Sequence, residues 1–269
     1  MSRFFITKDN IFQDKIIITG EDYNHIKNVL RSRVGDHLVL CDGESKDFHV
    51  TIDAFDTNKI ITTILNKQEN RTESFVNITL FQGIAKGDKM DFIIQKGVEL
   101  GVKCIVPVIT ERTVVRFEKG KDEIKKKERW QKIAFEAAKQ CNRGIIPLIG
   151  APLYLDKALD IMYKFNLSLI PYEKEKCFTL KSVLSDLKNK GSDKDIIEIA
   201  VFIGPEGGFS EKEIEAGIKA GVVPVTLGPR ILRTETASLA TITIIMYELE
   251  IGDIPQQGIP AQQRCVPKP

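Results

Sequence analysis

The sequence predicts an α/β protein that carries a small β-barrel in front of its main domain. Three observations support this fold class. The first 70 residues are mostly short β-branched or alternating segments, residues 70–74 are a polar stretch, and strands alternate with helices from there on. Such alternation is typical of a largely parallel sheet that is covered on both faces.

The N-terminal region contains five predicted strands and one predicted helix. The strands are short and separated by turn residues, and the Asp42–Gly43 pair is a tight-turn signal between two of them. The helix is expected at residues 22–30, with Thr19 or Asp22 as its N-cap. The predicted strands are residues 4–6, 15–18, 37–41, 47–55 and 60–65. A small β-barrel with one helix is the fold that this pattern favours.

The polar stretch at residues 70–74 is interpreted as a linker between two regions. Beyond it, buried-type strands and helices follow one another up to residue 249. Residues 251–269 contain four prolines and no periodic apolar pattern, which predicts an irregular tail. The predicted strands are residues 75–83, 104–109, 167–171, 199–203 and 223–227, and the predicted helices are residues 86–100, 121–141, 210–220 and 234–249.

Composition narrows the class of protein. The chain has 269 residues, enough for one large domain or for a small and a medium domain with separate cores. No apolar run reaches the roughly 20 residues that a membrane helix needs, and residues 1–10 have no secretory signal. The five cysteines form no CxxC pair and the three histidines have no metal-ligand spacing. We therefore expect a cytoplasmic protein without a metal.

The positive charge is concentrated in one block of the chain. Residues 71–145 hold 16 basic and 10 acidic side chains, whereas the net charge of the whole chain is +2. A localised basic surface suits a phosphate backbone. Acidic and basic residues alternate through much of residues 119–132, so a solvated helix face stays equally open there.

A glycine-rich loop follows the predicted strand at residues 199–203. Three glycines lie within residues 204–208, and Ser210 with Glu213 forms a capping box that starts a helix. Glycines let backbone amides approach a ligand closely, and strand-end loops of a parallel sheet form its ligand crevice. The loop matches neither GxGxxG nor GxxxxGK[ST], which argues against the nucleotide sites of those patterns. A purely structural turn stays open.

A second strand-end loop, LGPRILRTETA, spans residues 227–237. Ile231 and Leu232 are apolar residues in a turn, which is unusual unless a flat group such as an adenine packs on them. Arg230 and Arg233 precede a helix N-terminus, where the helix dipole disfavours cations, so we expect them to face anionic or electron-rich groups, or Glu235. Thr234 is the expected N-cap. Alone, this loop is also compatible with an ordinary capped turn.

The two loops together carry a resemblance to a known family. GPEGGFS at residues 204–210, followed at this spacing by LGPRILRTETA, resembles the RsmE family of 16S rRNA uridine-N3 methyltransferases in the SPOUT superfamily. Weaker matches are MSRFF, HIKNVLRSR, KGDK, QKGVELG and EAAKQCNR, all N-terminal to these loops. The resemblance covers the chain from Met1 to about Leu249. The paired C-terminal loops are its most specific part.

The resemblance implies a particular form of the α/β fold. A SPOUT-type parallel sheet with a C-terminal trefoil knot is expected at residues 75–250, between a PUA-like RNA-binding β-barrel at residues 1–70 and the irregular tail at residues 251–269. Knots are essentially absent from proteins in general, and nothing in the periodicity indicates one. The resemblance also implies a homodimer with each active site near the subunit interface.

The cofactor that the resemblance implies is S-adenosyl-L-methionine (SAM). Arg233 is the first candidate for stabilising charge on the uracil, and Glu235 is expected to accept its proton or to hold Arg233 in place. Glu206 has an alternative role as a turn carboxylate that accepts bonds from backbone amides. The expected cofactor-binding residues are Pro171, Tyr172, Glu173, Gly204, Glu206, Gly207, Gly208, Leu227, Gly228, Ile231, Leu232 and Ala237.

The implied partner is 16S rRNA in the 30S ribosomal subunit, with no metal and no membrane. The target uridine has to be exposed or flipped before it reacts. The candidate RNA contacts are Arg3, His25, Arg31, Arg33, Lys86, Lys89, Arg112, Arg116, Asn142 and Arg143. Two alternatives stay open, namely ribose 2′-O methylation by another SPOUT enzyme and a non-catalytic RNA-binding factor in ribosome assembly. The RTET segment at residues 233–236 and the intact glycine loop favour uridine-N3 methylation over both.

Overall fold

The computed structural model of the chain describes residues 3–115, 121–190 and 196–250. The expected RNA contact at Arg116 and the expected tail at residues 251–269 lie outside the described residues. No helix within the described ranges is long and apolar enough to cross a membrane.

From residue 3 onwards, where the structure describes the chain, the N-terminal region is a curled sheet of six strands with one short α-helix. Its elements are β1 (Arg3–Phe5), β2 (Ile11–Phe12), β3 (Lys15–Thr19), α1 (Gly20–Asn24), β4 (His37–Cys41), β5 (Lys46–Asp56) and β6 (Lys59–Glu69). The strand order is β1-β4-β5-β6-β3-β2, and every pairing is antiparallel except β1 with β4. The sheet closes around a core of alternating apolar residues that includes Phe4, Leu40 and Val50. A small β-rich domain is thus observed where the sequence predicts one.

The predicted helix at residues 22–30 takes a different form. An α-helix begins at Gly20, ends at Asn24, and continues as a π-helical turn at His25–Val29. Thr19 occupies the N-cap position, but its side chain makes no capping hydrogen bond. Burial of Tyr23 and Ile26 against the sheet fixes the segment instead.

In the part of the chain that the structure describes, the second region is a seven-stranded sheet flanked by six helices. Its elements are β7 (Val76–Gly83), α2 (Asp88–Glu99), β8 (Cys104–Ile109), α3 (Lys121–Gln140), β9 (Leu148–Ile149), β10 (Leu153–Tyr154), α4 (Leu155–Met162), β11 (Leu167–Pro171), α5 (Leu180–Lys190), β12 (Ile197–Ile203), α6 (Glu211–Lys219), β13 (Val223–Val225) and α7 (Thr234–Leu249). All pairings in this sheet are parallel, as predicted.

Both faces of the parallel sheet are covered. The strand order is β10-β8-β7-β12-β11-β13, with β9 beside β8. Ile78 and Val201 point to the face that α2, α3, α5 and α7 cover, whereas Phe81 and Phe202 point to the face that α4 and α6 cover. In this strand order the chain continues from β7 to β8 on one side and from β12 towards β13 on the other, so the direction of the connections reverses between β7 and β12. Open α/β sheets bind ligands beside such a reversal, outside the carboxyl ends of the strands.

Two helices, α4 and α5, were not predicted. Each is short and buries only a few apolar residues, for example Leu159 and Met162 in α4 and Leu180 and Leu184 in α5. Packing against the finished sheet, rather than a strong periodic signal, stabilises such helices.

The predicted linker at residues 70–74 is fixed to both regions by hydrogen bonds. The amide of Asn70 donates to Asp47 in the N-terminal sheet at 3.0 Å. The carboxylate of Glu73 pairs with Arg143 at 2.7 Å and also accepts from the backbone N–H of Gly144 at 2.8 Å. A second ion pair, at 2.9 Å, joins Lys139 of α3 to the carboxylate of Asp22 in α1. The N-terminal sheet is therefore attached to the parallel-sheet region by several buried or half-buried contacts.

Two of the expected RNA contacts are buried at this junction. Arg3 is 8% exposed. It pairs with Asp47 and donates to the carbonyl of Asn142. Arg143 is 5% exposed and donates to the carbonyls of Val98 and Val102 besides pairing with Glu73. Buried charges in proteins are paired, and both guanidinium groups are committed to protein partners rather than exposed for RNA.

We expect Arg143→Met to lower the free energy of unfolding by about 3 kcal/mol, because it leaves the Glu73 carboxylate in a half-buried site without its cation. Lys157→Met is the control, because its pair with Asp160 is exposed and should contribute less than about 0.5 kcal/mol. Denaturant unfolding of both variants measures the difference. Equal, small losses would contradict a structural role for Arg143.

Candidate functional site

A cavity of about 540 Å³ opens at the carboxyl ends of β11, β12 and β13. Three strand-end loops line it, at residues 171–173, 203–209 and 226–234, and Ala237 of α7 and Lys89 of α2 complete it. Every residue expected to bind the cofactor lies in this lining, namely Pro171, Tyr172, Glu173, Gly204, Glu206, Gly207, Gly208, Leu227, Gly228, Ile231, Leu232 and Ala237. The structure therefore brings together residues that are up to 66 positions apart in the sequence.

Close backbone contacts shape the glycine-rich loop. A Cβ at Gly83, the last residue of β7, would lie 2.5 Å from the backbone nitrogen of Pro205. A Cβ at Gly207 would lie 3.0 Å from the Cβ of Arg112, whose guanidinium donates to the Gly207 carbonyl at 2.8 Å. Gly208 has a φ of +66°, a conformation that favours glycine. A side chain would therefore collide with Pro205 at Gly83, crowd Arg112 at Gly207 and strain the backbone at Gly208.

The predicted capping box at the start of α6 is confirmed. The backbone N–H of Ser210 donates to Glu213 at 2.8 Å, and the Ser210 hydroxyl accepts from the N–H of Glu213 at 3.4 Å. The second oxygen of the same carboxylate accepts from the N–H of Glu111 at 2.8 Å. Glu213 is buried, so it holds the end of the glycine-rich loop against the segment that carries Arg112.

Glu206 forms the bond between the glycine-rich loop and the start of α2. Its Oε1 accepts from the backbone N–H of Lys86 at 3.1 Å and from Nζ of Lys89 at 3.0 Å. Burial alone would raise the pKa of the Glu206 carboxyl, but hydrogen bonds from its own backbone N–H, from Lys86 and from Lys89 outweigh burial and lower this pKa. The turn role considered for Glu206 is therefore observed, and Lys89 is committed to this ion pair.

The loop that follows β13 leaves apolar and cationic side chains open to solvent. Gly228 has a φ of +108°, and its N–H donates to the hydroxyl of Thr226 at 3.2 Å. Ile231 is 86% exposed beside the cavity, and Arg230 and Arg233 are exposed as well. An apolar side chain this exposed at the edge of a cavity marks a surface for a ligand or a second chain.

The expectation that Thr234 caps α7 is wrong. Arg233 occupies the N-cap position and makes no side-chain capping bond, and Thr234 is the first helical residue. The Thr234 hydroxyl donates to the Gly204 carbonyl at 2.6 Å and accepts from the amide of Gln82 at 3.0 Å. The hydroxyl is therefore used to join α7 to the glycine-rich loop rather than to satisfy its own helix.

Arg233 and Glu235 are not paired with each other. No ion pair joins them in the part of the chain that the structure describes. Oε2 of Glu235 is buried and has no hydrogen-bond partner among the described residues. Arg233 lines the cavity. Glu235, on the first turn of α7, is not among the residues that line it.

The loop after β11 is held by a turn that the sequence analysis did not identify. Oε1 of Glu175 accepts from three successive backbone N–H groups, of Lys176, Cys177 and Phe178, at 2.9, 2.6 and 3.1 Å. These bonds lower the pKa of the Glu175 carboxyl, with the bond from Cys177 the largest cause. A carboxylate placed just before consecutive turn residues is the signal that could have revealed it.

Two further buried residues beside the site were missed. Gln82 and Ser238 are fully buried, and their side chains hydrogen-bond each other and Thr234. A glutamine within the apolar strand at residues 76–83 is the available sequence signal, since buried polar side chains require partners.

The remaining expected RNA contacts are exposed or partly exposed. His25, Arg31 and Arg33 lie along one segment of the N-terminal sheet region, where Arg31 has a φ of +54°. Lys86 and Arg112 are exposed near the cavity, and Lys89 lines it. Asn142 is exposed at the junction of the two regions. The described residues include no group of three or more His, Cys, Asp or Glu side chains that could hold a metal ion.

Comparison with known proteins defines the class. Residues 72–246 match the RNA methyltransferase domain family, and residues 18–65 match the PUA domain of RNA methyltransferases. The two regions of the fold thus correspond to an RNA methyltransferase with an N-terminal PUA domain.

Relatives narrow the class to one family. The ribosomal RNA small subunit methyltransferase E of Bacillus subtilis is 34% identical over 93% of this chain and 98% of its own length. A crystal structure of the enzyme of that name from Neisseria gonorrhoeae, bound to SAM, has a TM-score of 0.79 and 36% identity over 91% of this chain and 97% of its own. A Legionella pneumophila methyltransferase in complex with SAM has a TM-score of 0.76 and 33% identity over 91% and 96%. The chain belongs to the ribosomal RNA small subunit methyltransferase E family.

We expect Glu206→Gln to destabilise the protein at neutral pH and to have little effect in acid. A carboxyl whose pKa is lowered by folding stabilises the fold above its unfolded pKa and loses this contribution as pH falls through the folded pKa. The difference between Glu206→Gln and the parent chain should therefore shrink once pH falls below the ordinary value of 4.5. Unfolding between pH 7 and pH 3 measures it, with the exposed Glu215→Gln as control. A difference that is constant with pH would contradict this.

Proposed function

We propose that this chain uses SAM to methylate N3 of a uridine in 16S rRNA, acting on assembled 30S subunits. The observation that carries the proposal is the cavity at the ends of β11, β12 and β13, whose lining contains all twelve residues that the family resemblance assigns to SAM. Family membership and the two SAM-bound relatives support the cofactor and the rRNA substrate. The RTET segment at residues 233–236 supports the uridine N3.

The apolar surface, the open backbone and the carboxylate of the cavity suit the parts of SAM. Leu227 and Leu232 offer half-buried apolar surface for a flat ring, and the glycine-rich loop leaves backbone groups free of side chains. Glu173 lines the same cavity and lies 4.0 Å from the position that a Cβ of Gly208 would occupy, so a carboxylate is available for a cationic or hydroxyl group. When bound, SAM supplies an activated methyl group on a sulfonium.

The cations at the edge of the cavity suit the uracil chemistry. Uridine N3 is a poor nucleophile until its proton leaves, so the site must favour an anionic ring. Arg233 is an exposed guanidinium that lines the cavity, and we assign it to a uracil carbonyl oxygen. The buried, unpartnered Oε2 of Glu235 supports a role in accepting the N3 proton or in orienting Arg233 once RNA is bound.

We propose that RNA lies across the two regions. Residues 75–250 would hold the methyltransferase domain, and residues 1–70 an RNA-binding domain. The contact set keeps the candidates whose side chains are not committed to the buried junction, namely His25, Arg31, Arg33, Lys86, Lys89, Arg112 and Asn142. Phosphate contacts of this kind position the RNA, while the cavity selects the base.

A homodimer is supported by the surface of α7. Apolar residues are distributed around this helix rather than along one stripe, a pattern typical of a helix that is covered on several sides. Yet Tyr247 is 62% exposed, and Ile231 and Phe92, on neighbouring segments, are 86% and 44% exposed. A second copy of the chain that covers this face would bury these side chains and place each cavity beside the subunit interface.

The proposed trefoil knot is supported by the close approach of two loop segments that are distant in the sequence. Residue Thr226, just after β13, donates to the Phe178 carbonyl at 2.8 Å and accepts from Leu180 at 3.4 Å. The segment that precedes α5 therefore lies parallel to and beside the segment that leaves β13, before α7 packs beside α2 and α5. An experimental structure whose backbone could be pulled straight from its ends would overturn the knot.

We expect the methyl group of labelled SAM to enter small subunits isolated from cells that lack this activity. Mass mapping of the product should find the label on N3 of one uridine. Label on a ribose or only in tRNA would refute the assigned substrate. Calorimetry with SAM alone tests the non-catalytic alternative, because a chain that binds no SAM cannot be this enzyme.

We expect Arg233→Ala to lower kcat by about 100-fold while the Kd for SAM changes less than about threefold, because Arg233 is assigned to charge that develops on the uracil. Lys212→Ala, on the exposed side of α6, is the control and should leave both quantities unchanged. An equal loss of SAM affinity and of kcat would make Arg233 a cofactor residue instead.

We expect Tyr247→Glu to convert the dimer into monomers at micromolar concentration, because it places a charge in an apolar interface. Tyr163→Glu is the matched control, since Tyr163 is 66% exposed but lies at the end of α4, on the opposite face of the sheet. Sedimentation velocity distinguishes the two variants. A monomeric parent chain would argue against the dimer.

A further inference from the structure

Three buried polar side chains lie together in the apolar layer behind the cavity. Gln82 near the end of β7 and Ser238 in α7 are 0% exposed, and Thr234 at the start of α7 is 6% exposed. They connect segments that are 152 and 156 residues apart in the chain. Burying polar groups is costly unless each finds a partner, so their clustering beside the cavity requires an explanation.

Hydrogen bonds join these three side chains to one another and to nearby backbone carbonyls. The Ser238 hydroxyl lies within donating distance of two acceptors, Oε1 of Gln82 at 2.6 Å and the Thr234 carbonyl at 2.8 Å. Nε2 of Gln82 donates to the Thr234 hydroxyl at 3.0 Å and to the Gly83 carbonyl at 2.9 Å. The Thr234 hydroxyl then donates to the Gly204 carbonyl at 2.6 Å. A series of hydrogen bonds therefore connects Ser238 through Gln82 and Thr234 to the glycine-rich loop.

The end of this chain of hydrogen bonds is a backbone group of the cavity. Gly204 is the first residue of the glycine-rich loop and lines the cavity, as does Thr234. Gln82 and Ser238 do not line it, and the Thr234 hydroxyl is the side-chain group that connects Gln82 to the lining. Hydrogen bonds arranged in series polarise one another and hold one geometry more firmly than separate bonds.

We propose that Gln82 and Ser238 are positioning residues that act through Thr234, and that their network holds the glycine-rich loop and the start of α7 in one arrangement. The Gly204 carbonyl is fixed by the same hydroxyl that fixes the first turn of α7, next to Arg233 and Glu235. The loop assigned to SAM and the residues assigned to the uracil are thereby set relative to each other. This inference rests on the proposed function, since its consequence is measured on SAM and on methyl transfer.

The central test replaces the Thr234 hydroxyl without changing the shape of the side chain. Thr234→Val should raise the Kd for SAM about tenfold and lower kcat, because the Gly204 carbonyl loses its donor. Thr234→Ser keeps the hydroxyl and should restore SAM affinity to within about threefold of the parent chain. Thr62→Val is the matched control, because Thr62 is a fully buried threonine that donates to the Ile16 carbonyl in the N-terminal sheet. Its thermal stability should fall, but its affinity for SAM should not.

A second test asks whether Ser238 acts through Thr234. Ser238→Ala should raise the Kd for SAM about threefold in the parent chain and leave it unchanged, within about 1.5-fold, in Thr234→Val. Gln82→Met should reproduce the effect of Thr234→Val. Multiplicative effects of Ser238→Ala and Thr234→Val on SAM affinity would refute the relay, since independent packing defects combine in that way. If Thr234→Val does not fold, Gln82→Met takes its place, and a Gln82→Met variant that binds SAM as tightly as the parent chain would also refute the relay.

The tests separate the failure of this inference from the failure of the proposed function. A parent chain that binds no SAM in calorimetry overturns the proposed function and this inference with it. A parent chain that binds SAM, together with a Thr234→Val variant that binds it equally well, overturns the positioning network alone. Loss of SAM affinity in Thr234→Val and in Thr62→Val to the same extent also overturns it, because a general loss of stability would then explain both.

Discussion

The 2.6 Å hydrogen bond from the Thr234 hydroxyl to the Gly204 carbonyl joins the two loops on which the cavity depends. The donor and the acceptor are 30 residues apart in the chain, so this bond ties the start of α7 to a loop that is distant in the sequence. The opposite side of the loop is equally constrained, because Pro205 lies against Gly83 with no space for a Cβ. The cavity is therefore bounded by backbone that is fixed from two sides. A ligand that enters it meets a largely preformed surface, which lowers the cost of ordering on binding.

The junction between the two regions is built on the same principle of paired polar groups. Glu73 and Arg143 tie the inter-region segment to α3 and to the end of α2, and Lys139 reaches back to α1. The exposed segment around Arg31 is thereby attached to the parallel sheet through half-buried contacts rather than through a free linker. An RNA that contacts both regions would meet its phosphate contacts at a set distance from the cavity, which is the requirement for selecting one nucleotide in a structured RNA.

The sequence predicted the long strands and helices and the residues that line the cavity. It did not predict that Arg3 and Arg143 are buried between the N-terminal sheet and the parallel-sheet region. Long strands and helices carry a periodic apolar signal, so the parallel sheet, α2, α3, α6 and α7 were expected within a few residues of their observed bounds. The short helices α4 and α5 carry little signal of their own and form because the sheet offers them an apolar face. Arg3 and Arg143 are basic residues in a basic block, and only the fold reveals that acidic partners from distant segments surround them.

By itself, the sequence determined the fold class, the family and the set of residues that meet in the cavity. Glycine positions, apolar periodicity and the paired loop motifs are local properties, and a linear chain displays them directly. Only the tertiary structure decided which polar groups are partners. The local sequence predicts that Thr234 caps a helix, yet its hydroxyl donates to the Gly204 carbonyl. Gln82 is a polar residue in an apolar strand, and the fold supplies its partners, Ser238 and Thr234. Hydrogen-bond partners are chosen by distance in space, and the chain brings these groups together only after its strands have paired.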